Sequence, residues 1–250
     1  MPEFTKTHLQ TVSSTSEYAL ENLDSLPDRH IVVADTQTKG KGRLDRSWFS
    51  SIPKNLFASL VLKPANCDDG NLPLTGLSQY LSLCACEVID VYLISAEVKW
   101  PNDILVGGRK IGGILGQTAF KGHRLTGIVL GIGLNLNMEE KDLEKINQPA
   151  TSLNLLTGLA IEPQSFLEQL ADRFFAGYPD FLAGGFPSIR GKYISRCPLM
   201  GSFIRVLLPD REIIGQAEGF TDNGFLVIKD ESGLKQVVTA GDVQLMRQIG

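Results

Sequence analysis

The chain has 250 residues, 43% of them hydrophobic and 21% charged, with 24 basic against 28 acidic side chains for a net charge of −4. That length holds one large domain, or a large one with an appendage, and the composition excludes the disordered, collagen-like and disulfide-scaffold classes. A mildly acidic chain offers no global field to a polyanion, so no nucleic-acid partner is expected. Cys67, Cys84, Cys86 and Cys197 are too few and scattered for a disulfide frame or a zinc site and read as small buried thiols. No run approaches the ~18 apolar residues of a membrane span. The N-terminal stretch lacks a signal-peptide core, so no membrane partner is expected and the cytoplasm is the expected compartment.

In chain order, residues 18–26 space Leu20 and Leu23 as on a helix stopped by Pro27. Ile31 to Asp35 reads as a short buried strand, residues 39–47 (KGKGRLDRS) as a glycine-punctuated basic loop, and Asn55 to Lys63 as a second strand closed by Pro64. From Leu74 to Tyr92, the stripe Leu77, Tyr80, Leu81, Cys84 and Val88 predicts an amphipathic helix packed on a sheet. Three strand-like runs follow, EVKW, KIGGILGQTA and TGIVLGIGLNLN, with a turn at Gly107-Gly108 between the first two. A further helix fits Gln164 to Phe175. After Tyr193 the texture changes to short apolar runs (FIRVLL, GFLVI, KQVV, VQLM) separated by Pro209-Asp210, Asp222-Asn223-Gly224 and Glu231-Ser232-Gly233. This pattern predicts an α+β domain over 1–195 and a small β-barrel over 196–250.

Local charge is more informative than the total. Lys39, Lys41, Arg43 and Arg46 stand against Asp45 alone, a local +3. Gly40 and Gly42 let backbone N–H groups and cationic heads reach one phosphate, although such loops also occur as solvated surface. In Lys99-Trp100-Pro101-Asn102-Asp103, Pro101 ends a strand and aims polar side chains into a cleft. There Asp103 is a candidate single carboxylate for Mg²⁺ whose other ligands are nucleotide phosphates, or simply a turn cap. Lys110, between two glycine pairs, suits the stabilisation of charge developing on a carboxylate and a phosphate during adenylation; its ordinary reading is a solvent-facing hairpin lysine. In Gly131-Ile132-Gly133-Leu134-Asn135-Leu136-Asn137, the strand alternation puts Asn135 and Asn137 on one face with Gly131 and Gly133, a low polar surface for a flat ligand.

In this order the motifs resemble those of the biotin protein ligases. The matching residues are Ser14-Thr15 before the first helix, the loop from Gly40 to Trp48, Lys99 to Asp103, Lys110, Gly131 to Asn137, and Ala150-Thr151-Ser152-Leu153. The resemblance implies a mixed sheet flanked by helices, the class II synthetase-like catalytic domain of biotin/lipoate ligases, followed by an SH3-like β-barrel. It also implies the reaction: biotin and Mg·ATP give biotinyl-5′-AMP and pyrophosphate, and a lysine of a biotin carboxyl carrier protein attacks the mixed anhydride. The implied cofactors and substrates are biotin, ATP and Mg²⁺; the implied partner is the carrier protein or domain of a carboxylase, with a homodimer as the expected assembly.

By the same match, Lys110, Arg43 and Lys99 are catalytic and Asp103 faces the metal. Ser14, Thr15, Ser16, Gln37, Gly40, Lys41, Gly42, Trp48, Asn102, Gly113, Gly133 and Asn135 line the ligand site together with Arg43 and Lys110. The chain departs from the family loop: Lys41 replaces an arginine, Asp45 a glycine, and Ser50-Ser51-Ile52-Pro53 the usual Ser-Pro-x-Gly. Lysine keeps the charge but loses the bidentate fork, so altered adenylate affinity is expected. The Ser-Thr motif begins too early for the N-terminal winged helix that makes some members repressors. Two alternatives stay open: a lipoate-type ligase on the same fold, with Lys110 to Gly113 as its Lys-x-x-Gly but no Arg-Arg-x-x-Gly-Gly-Gly loop, and a non-catalytic biotin-binding module. Asp242 and Arg247 either reach the nucleotide or decorate a surface.

Overall fold

The computed structural model describes residues 3–43, 46–49, 53–64 and 74–246. Cys67, Asp45, the segment 50–52 and Arg247 therefore lie outside the described residues. The chain opens with β1 (Thr5–Val12), α1 (Thr15–Glu21), β2 (His30–Gln37) and β3 (Leu56–Leu62). Next come α2 (Leu74–Asp90), β4 (Glu97–Lys99), β5 (Asp103–Val106), β6 (Arg109–Lys121) and β7 (Arg124–Leu134). Two short helices, α3 (Glu140–Leu143) and α4 (Leu153–Thr157), lead into the long α5 (Pro163–Ser195). The chain finishes with β8 (Phe203–Leu207), β9 (Glu212–Phe220), β10 (Leu226–Lys229), β11 (Lys235–Val238) and β12 (Asp242–Leu245).

The first seven strands form one mixed sheet in the order β1-β2-β3-β7-β6-β5-β4, parallel between β1 and β2 and antiparallel elsewhere. β3 runs through the middle with all seven residues buried, as a strand covered on both faces should. Alternation then divides the side chains. Ile128, Leu130 and Ile132 of β7 enter the large core under α2 and α5, while Val129 joins Val32, Val61, Ala19 and Leu23 beneath α1 on the opposite face. On the α2 side, Tyr80 stacks against Phe181 with ring centroids 5.0 Å apart and hydrogen-bonds the Phe174 carbonyl.

The five C-terminal strands form an antiparallel sheet in the order β11-β10-β9-β8-β12. Its Phe220 packs edge-to-face on Phe186 and Tyr193 of α5, so one continuous core runs beneath both sheets. The Gly224 carbonyl, in the turn before β10, accepts hydrogen bonds from Trp100 Nε1 (3.1 Å) and Gln79 Nε2 (2.8 Å).

Several sequence expectations move. The first helix starts at Thr15 rather than 18 and ends at Glu21. The helix expected over Gln164 to Phe175 continues to Ser195, broken at Gly185 (φ 58°) just before Pro187, which cannot donate to the preceding turn. The turn at Gly107-Gly108, both with positive φ, joins β5 to β6 rather than β4 to β6, because Asp103–Val106 is itself a strand. β1 and β9 were not anticipated. Among the described residues, no helix is long and apolar enough to cross a membrane.

Cys84, Cys86 and Cys197 are free and buried, and burial pushes the first two thiols up to about 12 and the third to about 11. With so little thiolate, these three should resist maleimide at pH 8 in the native protein and react after denaturation, as peptide mapping by mass spectrometry would show. Phe220→Ala should cost about 3 kcal/mol in urea unfolding by removing the ring that joins α5 to the C-terminal sheet.

Candidate active site

The cleft floor is built from the face of β7 turned away from the large core. Gly127, Gly131 and Gly133 alternate there, and something packs closely over each. A Cβ at Gly127 would meet Leu23 at 3.0 Å, one at Gly131 would meet Ser16 Oγ at 2.4 Å, and one at Gly133 would meet the Trp48 ring at 2.6 Å. Helix α1 thus covers the near end of this face and the basic loop the far end. Gly133 pairs in register with Gly113 of β6, where a Cβ would again touch Trp48, at 3.1 Å. Only a side-chain-free floor lets the indole come this close.

Lys110 reaches the same face through a β-bulge. Ile104 and Leu105 of β5 pair with Gly112 and Lys110 of β6, leaving Ile111 as one extra residue. The bulge reverses the alternation, so Lys110 and Gly113 share the cleft side. Lys110 Nζ lies 2.7 Å from Asp103 Oδ1 and 5.4 Å from the Trp48 ring centroid, with only 17% and 21% of the two charged side chains exposed. The Lys110 backbone is fixed too, donating to the Pro149 carbonyl and accepting from Thr151 N–H.

The loop folds back on itself: Gly42 N–H donates to Arg46 O (2.7 Å) and Trp48 N–H to Gly40 O (2.8 Å). Lys41 forms an ion pair with Glu17 of α1 and Arg46 one with Asp242 of β12. Lys41 holds the Glu17 carboxyl below the usual carboxylate range. Arg43 Nη1 donates to Asn102 Oδ1 (3.1 Å), and burial lowers its pKa against the opposing pull of Asp242 and Asp103. Asn102 is anchored by exchanging hydrogen bonds with Ile114, through its Nδ2 to the Ile114 carbonyl and its own carbonyl to the Ile114 N–H.

Ser14, Thr15, Ser16 and Gln37 close the polar end of the cleft. Gln37 Oε1 accepts from the Thr15 N–H at 2.7 Å, while Ser59 Oγ lies 2.9 Å from Thr15 Oγ1 and 3.0 Å from Ser16 Oγ. Lys41, Gly42, Arg43, Trp48, Asn102, Asp103, Lys110, Gly113 and Gly133 complete the predicted set that the fold gathers around one cavity. A smaller cavity lined by Phe49, Asn135, Ile146 and Ala150 adjoins it, sharing Ser47, Trp48, Lys110 and Gln148 with the first.

Lys99, Gly40 and Asn137 stand outside both cavities, and Asn135 lines only the smaller one. Lys99 sits on the outermost strand β4, one strand beyond Asp103, and does not line the cleft. Gly40 contributes its carbonyl to Trp48 and no cavity wall. β7 ends at Leu134, so the expected common face of Asn135, Asn137 and the glycines is interrupted. Asn135 Nδ2 is bound to the Thr151 carbonyl (3.0 Å) in the wall of the smaller cavity, and Asn137 braces Lys54 and Ile161. Sequence reasoning missed Ser47 and Gln148 as lining residues and left Asp242 undecided, although all three line the first cavity. The register of a distant sheet brings Asp242 here, which no local motif could signal.

The cleft is floored by paired glycines, roofed by a tryptophan-bearing basic loop and furnished with a half-buried lysine, an arrangement that suits a small anionic ligand. The chain belongs to the biotin/lipoate A/B protein ligase family: residues 9–135 match that family's model, and residues 200–246 match the biotin protein ligase C terminal domain. It is 31% identical to the biotin--[acetyl-CoA-carboxylase] ligase of Paracoccus denitrificans over 241 residues, covering 94% of this chain and 98% of that one. It is also 31% identical to the bifunctional ligase/repressor BirA of Bacillus subtilis, covering 94% of this chain and 72% of the relative. A solved Aquifex aeolicus biotin protein ligase in complex with biotin and ATP superposes with a TM-score of 0.81 at 28% identity, over 98% of this chain and 99% of that one.

Gly133→Ala should displace the indole. The expected result is a red-shifted Trp48 emission relative to the wild type, read in a Trp100→Phe background, with ligand affinity reduced at least tenfold by calorimetry.

Proposed function

We propose that this protein activates biotin with ATP to biotinyl-5′-AMP, releasing pyrophosphate, and then transfers biotin to a lysine of a biotin carboxyl carrier protein. One observation carries the reading: Lys110 lies under the Trp48 ring where a polar pocket and an aromatic pocket meet. In the first step a carboxylate oxygen of biotin attacks the α-phosphorus and the bond to pyrophosphate breaks. Lys110 and Arg43 stabilise the charge shared between carboxylate and phosphate, as preorganised cations do in a water-poor site. In the second step the carrier amine attacks the acyl carbon, the amide forms and AMP departs.

The hydroxyl and amide groups of Ser14, Thr15, Ser16 and Gln37 suit the cyclic urea of biotin, which both donates and accepts hydrogen bonds. A dithiolane offers only weak sulfur acceptors, which counts against lipoate. Trp48 and Phe49 suit a purine on the other side. Mg²⁺ would enter with ATP and neutralise its phosphates. Asp103 is a hard oxygen donor at the cleft, and no group of three His, Cys, Asp or Glu among the described residues forms a cage, a donor set that suits an ion held mainly by phosphate oxygens. The division into a catalytic unit over 1–195 and a C-terminal unit over 196–250, and a cytoplasmic setting with ATP and reduced thiols, belong to the same reading.

Pyrophosphate release with ATP, Mg²⁺ and either biotin or lipoate, followed by carrier labelling, tests it. Release with biotin alone is expected, and none with either acid would overturn the enzyme reading. Lys110→Ala should slow release about 100-fold; full activity would remove Lys110 from its role.

A further inference from the structure

We propose that Asp242, on the C-terminal sheet, is a positioning residue that holds the basic loop closed over the cleft through Arg46, and so sets how long the adenylate stays enclosed. The inference rests on the proposed ligase reaction for its consequence, but on geometry for the contact itself. Arg46 and Asp242 form an ion pair across 196 residues of chain, and both line the first cavity.

Each partner is placed by something firmer than the pair. Asp242 opens β12, where it pairs in register with Leu207 of β8. Gly241 before it has φ 155° and no room for a Cβ, which would lie 2.6 Å from Val206. On the other side, the Arg46 carbonyl accepts the Gly42 N–H at 2.7 Å, and the next residue, Ser47, bridges to Lys41. Fixing Arg46 therefore fixes the return arm of the loop and, two residues later, the Trp48 ring on its glycine floor. The outgoing arm has its own anchor in the Lys41–Glu17 pair. Asp242 raises the pKa of Arg46 and opposes the burial-driven lowering in Arg43.

The pair is well exposed, 63% at Arg46 and 38% at Asp242, so its strength is that of a screened surface ion pair. Its role is to bias an opening equilibrium rather than to support the fold. Asp242→Asn should release the adenylate about three- to five-fold faster, read as AMP formed without carrier labelling. Cleavage at Arg43 and Arg46 by an arginine-specific protease should accelerate similarly in the ligand-free protein. Raising sodium chloride from about 50 to 500 mM should speed release more from the wild type than from Asp242→Asn, which keeps only the Lys41–Glu17 anchor to be screened.

Asp242→Glu should behave like the wild type, and the exchange Arg46→Asp with Asp242→Arg should restore protease resistance at Arg43, the site that every variant keeps. Thermal midpoints check that each variant is folded; a role confined to folding would lower the midpoint of Asp242→Asn and leave adenylate release unchanged. Unchanged release and cleavage in Asp242→Asn, or an exchange that restores nothing, would overturn the proposal. A chain that forms no adenylate would instead overturn the ligase reading, leaving the proteolysis to decide the contact.

Discussion

The contact between the Trp48 ring and the backbone of Gly133 is the constraint on which the site depends. An indole can lie against a sheet at that distance only where two neighbouring strands both lack side chains, and Gly113 and Gly133 are register partners for that reason. Glycine weakens a strand interior. Here the loss is offset by β3, buried on both faces beside β7, and by the core under α2 and α5. Once the ring is seated, the rest follows from its position. It lines both cavities with Lys110 beneath it, and the loop cations Lys41, Arg43 and Arg46 line the first.

Three of those cations already carry a carboxylate partner. Lys41 has Glu17, Arg46 has Asp242 and Lys110 has Asp103, each from a different element, while Arg43 faces the neutral amide oxygen of Asn102. An anionic ligand therefore exchanges one set of ion pairs for another, and its binding energy is the difference between them. Lys110 is where that difference matters most, because little of either partner is exposed and water screens the pair least. The same arrangement reconciles a net charge of −4 with the proposed anion site: a local +3 loop suits one small phosphate ester, while the acidic remainder disfavours long polyanions.

The order of the motifs was legible because each carries its own local chemistry: glycines and cations in the loop, Pro101 closing the turn before Asp103, glycine alternation in β7. The elements that escaped lack such a signal. β1 reads TKTHLQTV, an edge strand with polar groups on both faces and no apolar alternation to reveal it. β5 is four residues long and follows a proline, so it looked like the polar tip of the strand before it. Lys99 is expected at the site only through the family resemblance; it lies on β4, and with β5 intervening it falls one strand outside the cleft.

Lys110 shows how a residue can be expected at a site while the reason it points there stays hidden. Its place in the motif order suggested the cleft, yet Lys110 and Gly113 are three apart and regular alternation would send their side chains to opposite faces. The unpaired Ile111 of β6 reverses that parity and buries its own side chain in the core. A bulge is a property of two strands in register, set by where β5 ends at the Gly107-Gly108 turn and how β6 then meets β7. The sequence of β6 alone does not contain it. The direction of the most important side chain in the cleft is thus fixed by pairing between strands, and its charge and reach by the residue itself.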